Sequence, residues 1–174
     1  FFLTKFNKSI EEMIVSPMPN LIILLGFMLG GTLRGILVGI IVTLVSLFFT
    51  HITITHVFIV FGIAILAAMV FSLGGLINAI YAKHFDDISF IPTFVLVPLT
   101  YLGGVFYSTD QLPDTWRSLS RVNPILDIVE TFRYGMLGIS DINVSIGFLL
   151  IGALFIILFF WAWRLLISGV GIKM

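Results

Sequence analysis

Long apolar runs separated by short polar breaks fill this chain. Four of the runs can cross a bilayer, whose hydrocarbon core of about 30 Å takes about 20 residues of helix. Residues 21–49 are apolar apart from Arg34, and residues 57–82 carry no charge. Residues 88–107 carry none either, but hold Pro92, Pro98 and the pair Gly103-Gly104. Residues 144–163 form the last run, closed by Arg164. Backbone groups in lipid have no water to bond, so each run is expected to be a helix. The prolines of the third predict kinks, and its glycine pair predicts a break near the membrane surface. The expected fold is an all-α polytopic membrane bundle. It forms one domain over residues 1–174, with four full transmembrane helices.

The polar breaks carry their own pattern. In residues 4–20, Ser9 and Glu12 have capping-box spacing. Phe6, Ile10, Met13 and Ile14 share one helical face, and Lys5, Lys8, Glu11 and Glu12 fill the rest. Pro17 and Pro19 end this helix before the first span. It reads either as an interfacial helix on the headgroups or as a docking element offering Glu11 and Glu12 to a cytoplasmic partner. Residues 50–56 make a short Thr/His turn, and residues 83–87 a short charged one.

The long connection, residues 108–143, predicts two short amphipathic helices against the outer leaflet. Asp114 can cap the first, on which Leu112, Trp116 and Leu119 share a face. In the second, Asn123 is an N-cap, Pro124 takes the first helical position and Gly138 suits the C-terminal cap. Ile125, Ile128, Val129, Phe132 and Met136 form one face; Asp127, Glu130, Thr131, Arg133 and Tyr134 form the other. Glu130 and Arg133 can pair at i, i+3. The polar side is either a solvated face or an outer gate.

Spans alternate, so residues 4–20, 83–87 and the C-terminus share one side, with Lys5, Lys8, Lys83, Arg164 and Lys173. The other side holds Arg117, Arg121 and Arg133. The positive-inside rule makes the first side cytoplasmic. The chain opens on Phe1-Phe2-Leu3 rather than Met, which reads as a fragment starting at the tail of an earlier span.

Composition supports the membrane reading. Of 174 residues, 59% are hydrophobic and 10% charged, where a soluble domain carries about a quarter charged. The net charge of zero offers no basic field for nucleic acid. The lack of cysteine excludes disulfides, Cys zinc sites and a Cys nucleophile.

Candidate chemistry is sparse. Gly31, Gly35 and Gly39 recur every fourth residue, a stripe that lets another helix approach closely. Arg34 sits among them, where a charge costs at least about 2.5–3.5 kcal/mol at a helix centre. It either snorkels, pairs internally or lines a polar pathway. No G-x-x-x-x-G-K-[ST] phosphate loop is present, and His51, His56 and His84 are too scattered for a metal site. Asp127 and Glu130 lie three apart with no nucleophile or metal ligand beside them, which argues against catalysis.

Three stretches resemble one family. Ser9-Ile10-Glu11-Glu12-Met13-Ile14-Val15-Ser16-Pro17 resembles the cytoplasmic segment after the second span of type-2 ABC export permeases, with Ser9 for the usual Thr and Met13 for Leu. Residues 101–107, Tyr-Leu-Gly-Gly-Val-Phe-Tyr, followed by Gln111-Leu112-Pro113, resemble the end of the fifth span and its outer loop. Asn123-Pro124, Glu130, Arg133 and Gly138 resemble the signature before the last span.

The resemblance implies a six-span permease subunit of the bacterial inner membrane, with the third to sixth spans here. It implies pairing with a second copy, docking of a soluble ABC ATPase, and export of a glycan, lipid or drug-like amphiphile. Glu11, Glu12 and Pro17, with Lys83, Asp86 and Asp87, would meet that ATPase. Arg34, Asn123, Pro124, Glu130 and Arg133 are candidates for a pathway or gate. ATP and Mg would belong to the partner, with no cofactor and no enzymatic activity in this chain. The closest analogy is to drug and nodulation-factor exporters. The rival readings are a secondary transporter or channel, which predicts an inverted repeat, and a membrane-embedded transferase, which predicts clustered acids and histidines.

Overall fold

A computed structural model describes residues 1–6, 18–50, 54–105, 120, 122–139 and 143–169. The described residues are helical or in turns, with no strand among them. A short helix, α1 (Phe2–Phe6), precedes the long α2 (Asn20–Ser46) and α3 (Val57–Tyr81). Next come α4 (Phe85–Ile91), a π turn (Pro92–Leu96) and α5 (Val97–Tyr101). The amphipathic α6 (Pro124–Leu137) and the long α7 (Val144–Ser168) complete the chain.

Three helices, α2, α3 and α7, are long and apolar enough to cross a membrane. They pack together around Leu24, Leu73, Ile80 and Ala162 toward the Lys83 end, while α3 and α7 continue around Ile63, Val70 and Ile151 toward the Asn123 end. Much of the remaining apolar surface faces outward, as with Phe58 at 93% exposure, which suits a lipid solvent. At Gly31 the two long helices α2 and α3 approach so closely that a Cβ would strike the Ser72 side chain. The Ser72 hydroxyl bonds the Met28 carbonyl across this contact at 2.9 Å, and Thr32 bonds the same carbonyl at 2.8 Å.

The expected third span is not one regular helix. Pro92 and Pro98 supply no amide, and a proline ring crowds the carbonyl four residues back. The chain answers with the π turn, in which the Val97 amide bonds the Pro92 carbonyl. Pro92 leaves the Ile88 carbonyl without its helical donor, and the Asn78 side chain of α3 donates to it at 2.9 Å. The helix ends at Tyr101, and Gly104 adopts the left-handed φ of 70°.

Several boundaries differ from the sequence pattern, and α2 ends at Ser46 rather than at residue 49. α4 starts at Phe85 rather than Ile88, because the Asp87 carboxylate accepts from the Lys83 and His84 amides at 2.8 and 2.9 Å. α7 runs past Arg164 to Ser168, where Gly169 in the left-handed region stops it. Residues 7–17 of the expected interfacial segment 4–20, with its Ser9 cap, and the helix capped by Asp114 lie outside the described residues.

Candidate functional site

The polar side chains converge at the Asn123 end, where α6 meets the broken helix. Asn123 caps α6 by accepting from the Ile125 amide at 3.0 Å. Pro124 occupies the first turn, where its missing amide costs nothing. The same Asn123 side chain donates to the Leu99 carbonyl of α5 at 2.6 Å. Arg133, two turns along α6, donates to the Gly104 carbonyl at 2.7 Å and pairs with Glu130. Two side chains of α6 therefore hold carbonyls at and beyond the end of α5.

Close backbone contacts fix this arrangement. A Cβ on Gly103 would lie 2.8 Å from Ile125, and one on Gly135 would lie 2.7 Å from Val60. Gly147 of α7 lies against the Thr131 hydroxyl with no room for a side chain. The far end of α6 is tied to the residues before α3. Thr55 and His56 donate their amides to the Met136 and Gly135 carbonyls at 3.2 and 2.8 Å. The His56 ring stacks on Tyr134 with centroids 5.1 Å apart.

These contacts bury polar as well as apolar residues of α6, among them Ile125 and Leu126. Glu130 is 1% exposed, and Asp127 and Thr131 are buried with it, while Phe132 is 39% exposed. Of the two readings of this polar side, a fully solvated face does not describe Asp127, Glu130 and Thr131, which are buried between the neighbouring helices. Burial raises the Asp127 carboxyl above its ordinary range. Glu130 instead has Arg133 within hydrogen-bonding reach. The site contains held carbonyls, one charge-assisted pair and one poorly solvated carboxyl. Such a set restrains two elements relative to each other.

The other sequence candidates lie elsewhere. Lys83, Asp86 and Asp87 are exposed around the start of α4. The amides of His84 and then Lys83 hold the Asp87 carboxyl below its usual range. Gly31 and Gly35 face α3, with a Gly35 Cβ 3.4 Å from Ala68, while no described atom lies within 4 Å of one at Gly39. Arg34 is exposed near the middle of α2. Glu11, Glu12 and Pro17 lie outside the described residues.

Sequence reasoning missed two further polar contacts. One is Asn78 on the Ile88 carbonyl. The other is Lys5, whose buried ammonium donates to the Ile80 and Ala82 carbonyls at 2.7 and 2.8 Å and so closes the end of α3. An amide within an uncharged apolar run, and a proline four residues beyond Ile88, are the signals that could have exposed the first.

The family model described as ABC-2 type transporter matches residues 1–137. The chain is 45% identical over 173 residues to the inner membrane transport permease YadH of Escherichia coli K12, covering 99% of this chain and 68% of that protein. It is 32% identical over 91 residues to nodulation protein J of Rhizobium leguminosarum bv. viciae, covering 51% of this chain and 35% of that protein. Nodulation protein J of Rhizobium meliloti is 27% identical over 89 residues, 51% of this chain and 33% of that protein. No solved structure matches the chain significantly.

Proposed function

The chain belongs to the ABC-2 type transporter family and is a multi-pass membrane transport permease, and we propose that it serves an ATP-driven exporter. In this reading a separate soluble ATPase hydrolyses ATP, since the chain carries no phosphate-loop motif. The observation that carries the reading is the match to an inner membrane transport permease over 99% of the chain.

The finer assignment follows the charges. The Lys83 end faces the cytoplasm of a bacterial inner membrane, by the positive-inside rule. The ATPase docks there, on Lys83, Asp86 and Asp87 and on the segment with Glu11, Glu12 and Pro17. The segmented helix 85–101 serves as a fourth span between that contact and the outer end. Asn123, Pro124, Glu130 and Arg133 form an outer gate that moves with it. Two copies act together on an amphipathic substrate and move it outward.

Affinity purification of the full-length subunit from its native membrane, in mild detergent, tests the partner. A stoichiometric soluble protein with a phosphate loop is expected. Its absence under conditions that keep the subunit folded would overturn the reading in favour of a secondary transporter.

A further inference from the structure

Arg34 places a cation in the middle of the apolar helix α2. In α2, residues 20–33 precede it and residues 35–46 follow it. At about 1.5 Å per residue it stands roughly 20 Å from either end of the helix. That is close to the midplane of a core about 30 Å thick, and its side chain is shorter than the roughly 15 Å to either interface. No hydrogen bond or ion pair holds it among the described residues. None of the 9 Asp and Glu lies within the apolar runs of the sequence. Of the 9 Asp and Glu, Asp86 and Asp87 open α4, Asp127 and Glu130 lie on α6, and the rest fall at 11, 12, 110, 114 and 141, outside the apolar runs.

Two open grooves between α2 and α3 meet at this residue. One, of about 510 Å³, runs past Gly35 and Ala68 to Val38 and Ala64, toward the Asn123 end. The other, of about 490 Å³, runs past Gly30 and Gly75 to Gly26 and Ala79, toward the Lys83 end. Both include Gly31, Arg34, Phe71 and Ser72. They form an apolar track along the pair of spans with one cation halfway.

We propose that this track carries the apolar body of a transported amphiphile, and that Arg34 binds its anionic head, a phosphate or carboxylate, as the head crosses the midplane. The proposal rests on the permease reading and adds the charge of the substrate. A guanidinium presents a planar fork that matches either anion. At low dielectric that attraction is far stronger than in water. Resident phospholipids keep their heads at the interfaces, so a head at this depth belongs to a molecule in transit.

The test uses the complete permease with its ATPase in phosphatidylcholine nanodiscs. Dodecyl phosphate bearing a diazirine is the probe, with the matching diazirine dodecanol as the neutral control. Peptide mapping should find the phosphate probe on α2 and α3 around Phe71, well above the alcohol. Arg34→Gln should lower that labelling roughly 10- to 100-fold, and Arg34→Lys should retain part of it. Ala68→Phe, which narrows the track while keeping the arginine, should also lower it. Equal labelling by the two probes, or labelling unchanged in Arg34→Gln, would overturn the proposal. Displacement of the probe by phosphatidylglycerol in the disc would assign the site to resident lipid and also overturn it. Co-purification of the ATPase is scored separately. Loss of the ATPase defeats the ATP-driven reading, whereas absent labelling with the ATPase retained defeats only the track.

Discussion

Single polar side chains decide how the broken helix is held. The Ile88 carbonyl, deprived of its helical donor by Pro92, is served by Asn78, which is itself buried. Asn78→Leu keeps the volume close and removes the donor, leaving a carbonyl unsatisfied in an apolar setting. We expect a loss of about 1–2 kcal/mol, read as a lower unfolding midpoint in detergent; an unchanged midpoint would remove this role. Asp127 makes a pH-dependent prediction. Its folded pKa lies above the usual aspartate value, so between those two values the native state holds more protons than the unfolded state. Its contribution is therefore most favourable below the usual value and is lost as pH rises through the folded one. Asp127→Asn should stabilise the protein most at neutral pH, and the gain should shrink on acidification. A gain independent of pH would contradict this. Neither role is written in the local pattern: Asn78 lies in a run read as an uncharged span, and Asp127 lies on a face that in water would be exposed.

At the scale of elements, much of the fold is legible. Asn123, Pro124 and Gly138 mark both ends of α6, because each acts through its own backbone neighbourhood. The three long helices follow from apolar length alone. Which residues of α6 are buried depends on the contacts with α3 and α7, at Gly135 and Gly147, and the hydrophobic pattern does not reveal those contacts. The glycine stripe is similarly divided. Its spacing marks a smooth face, but the crossing with α3 puts Gly31 in contact and Gly39 in the open. Gly31→Leu should destabilise by roughly 1–3 kcal/mol through overpacking against Ser72, while Gly39→Leu should stay within about 0.5 kcal/mol. Thermal unfolding of the two variants in the same detergent separates them. Equal effects would mean that residues beyond those described pack on Gly39.

Across the whole molecule, the segment 85–101 is joined to the rest at its two ends. Asn78 secures the Ile88 carbonyl near the Lys83 end, and Asn123 and Arg133 hold the carbonyls of Leu99 and Gly104 at the other. Its outward residues Phe90, Phe94 and Val97 are exposed. A segment fixed at both ends can pass a push at Lys83–Asp87 on to α6. Arg133→Gln should therefore weaken the link to Gly104. Faster amide exchange is expected over residues 99–104, with the exchange of α3 unchanged. Uniform exchange across all helices would instead indicate general destabilisation. In the proposed function, a separate ATPase drives this permease through its Lys83 end. The most direct measurement is ATP hydrolysis by the isolated complex, compared with the double variant Lys83→Glu, Asp86→Lys, which reverses exposed charges and leaves the Asp87 cap in place. Hydrolysis that depends on the permease and falls at least about tenfold in the variant, about 1.4 kcal/mol of coupling, is the predicted result. Hydrolysis indifferent to both the permease and the charge reversal would contradict the account.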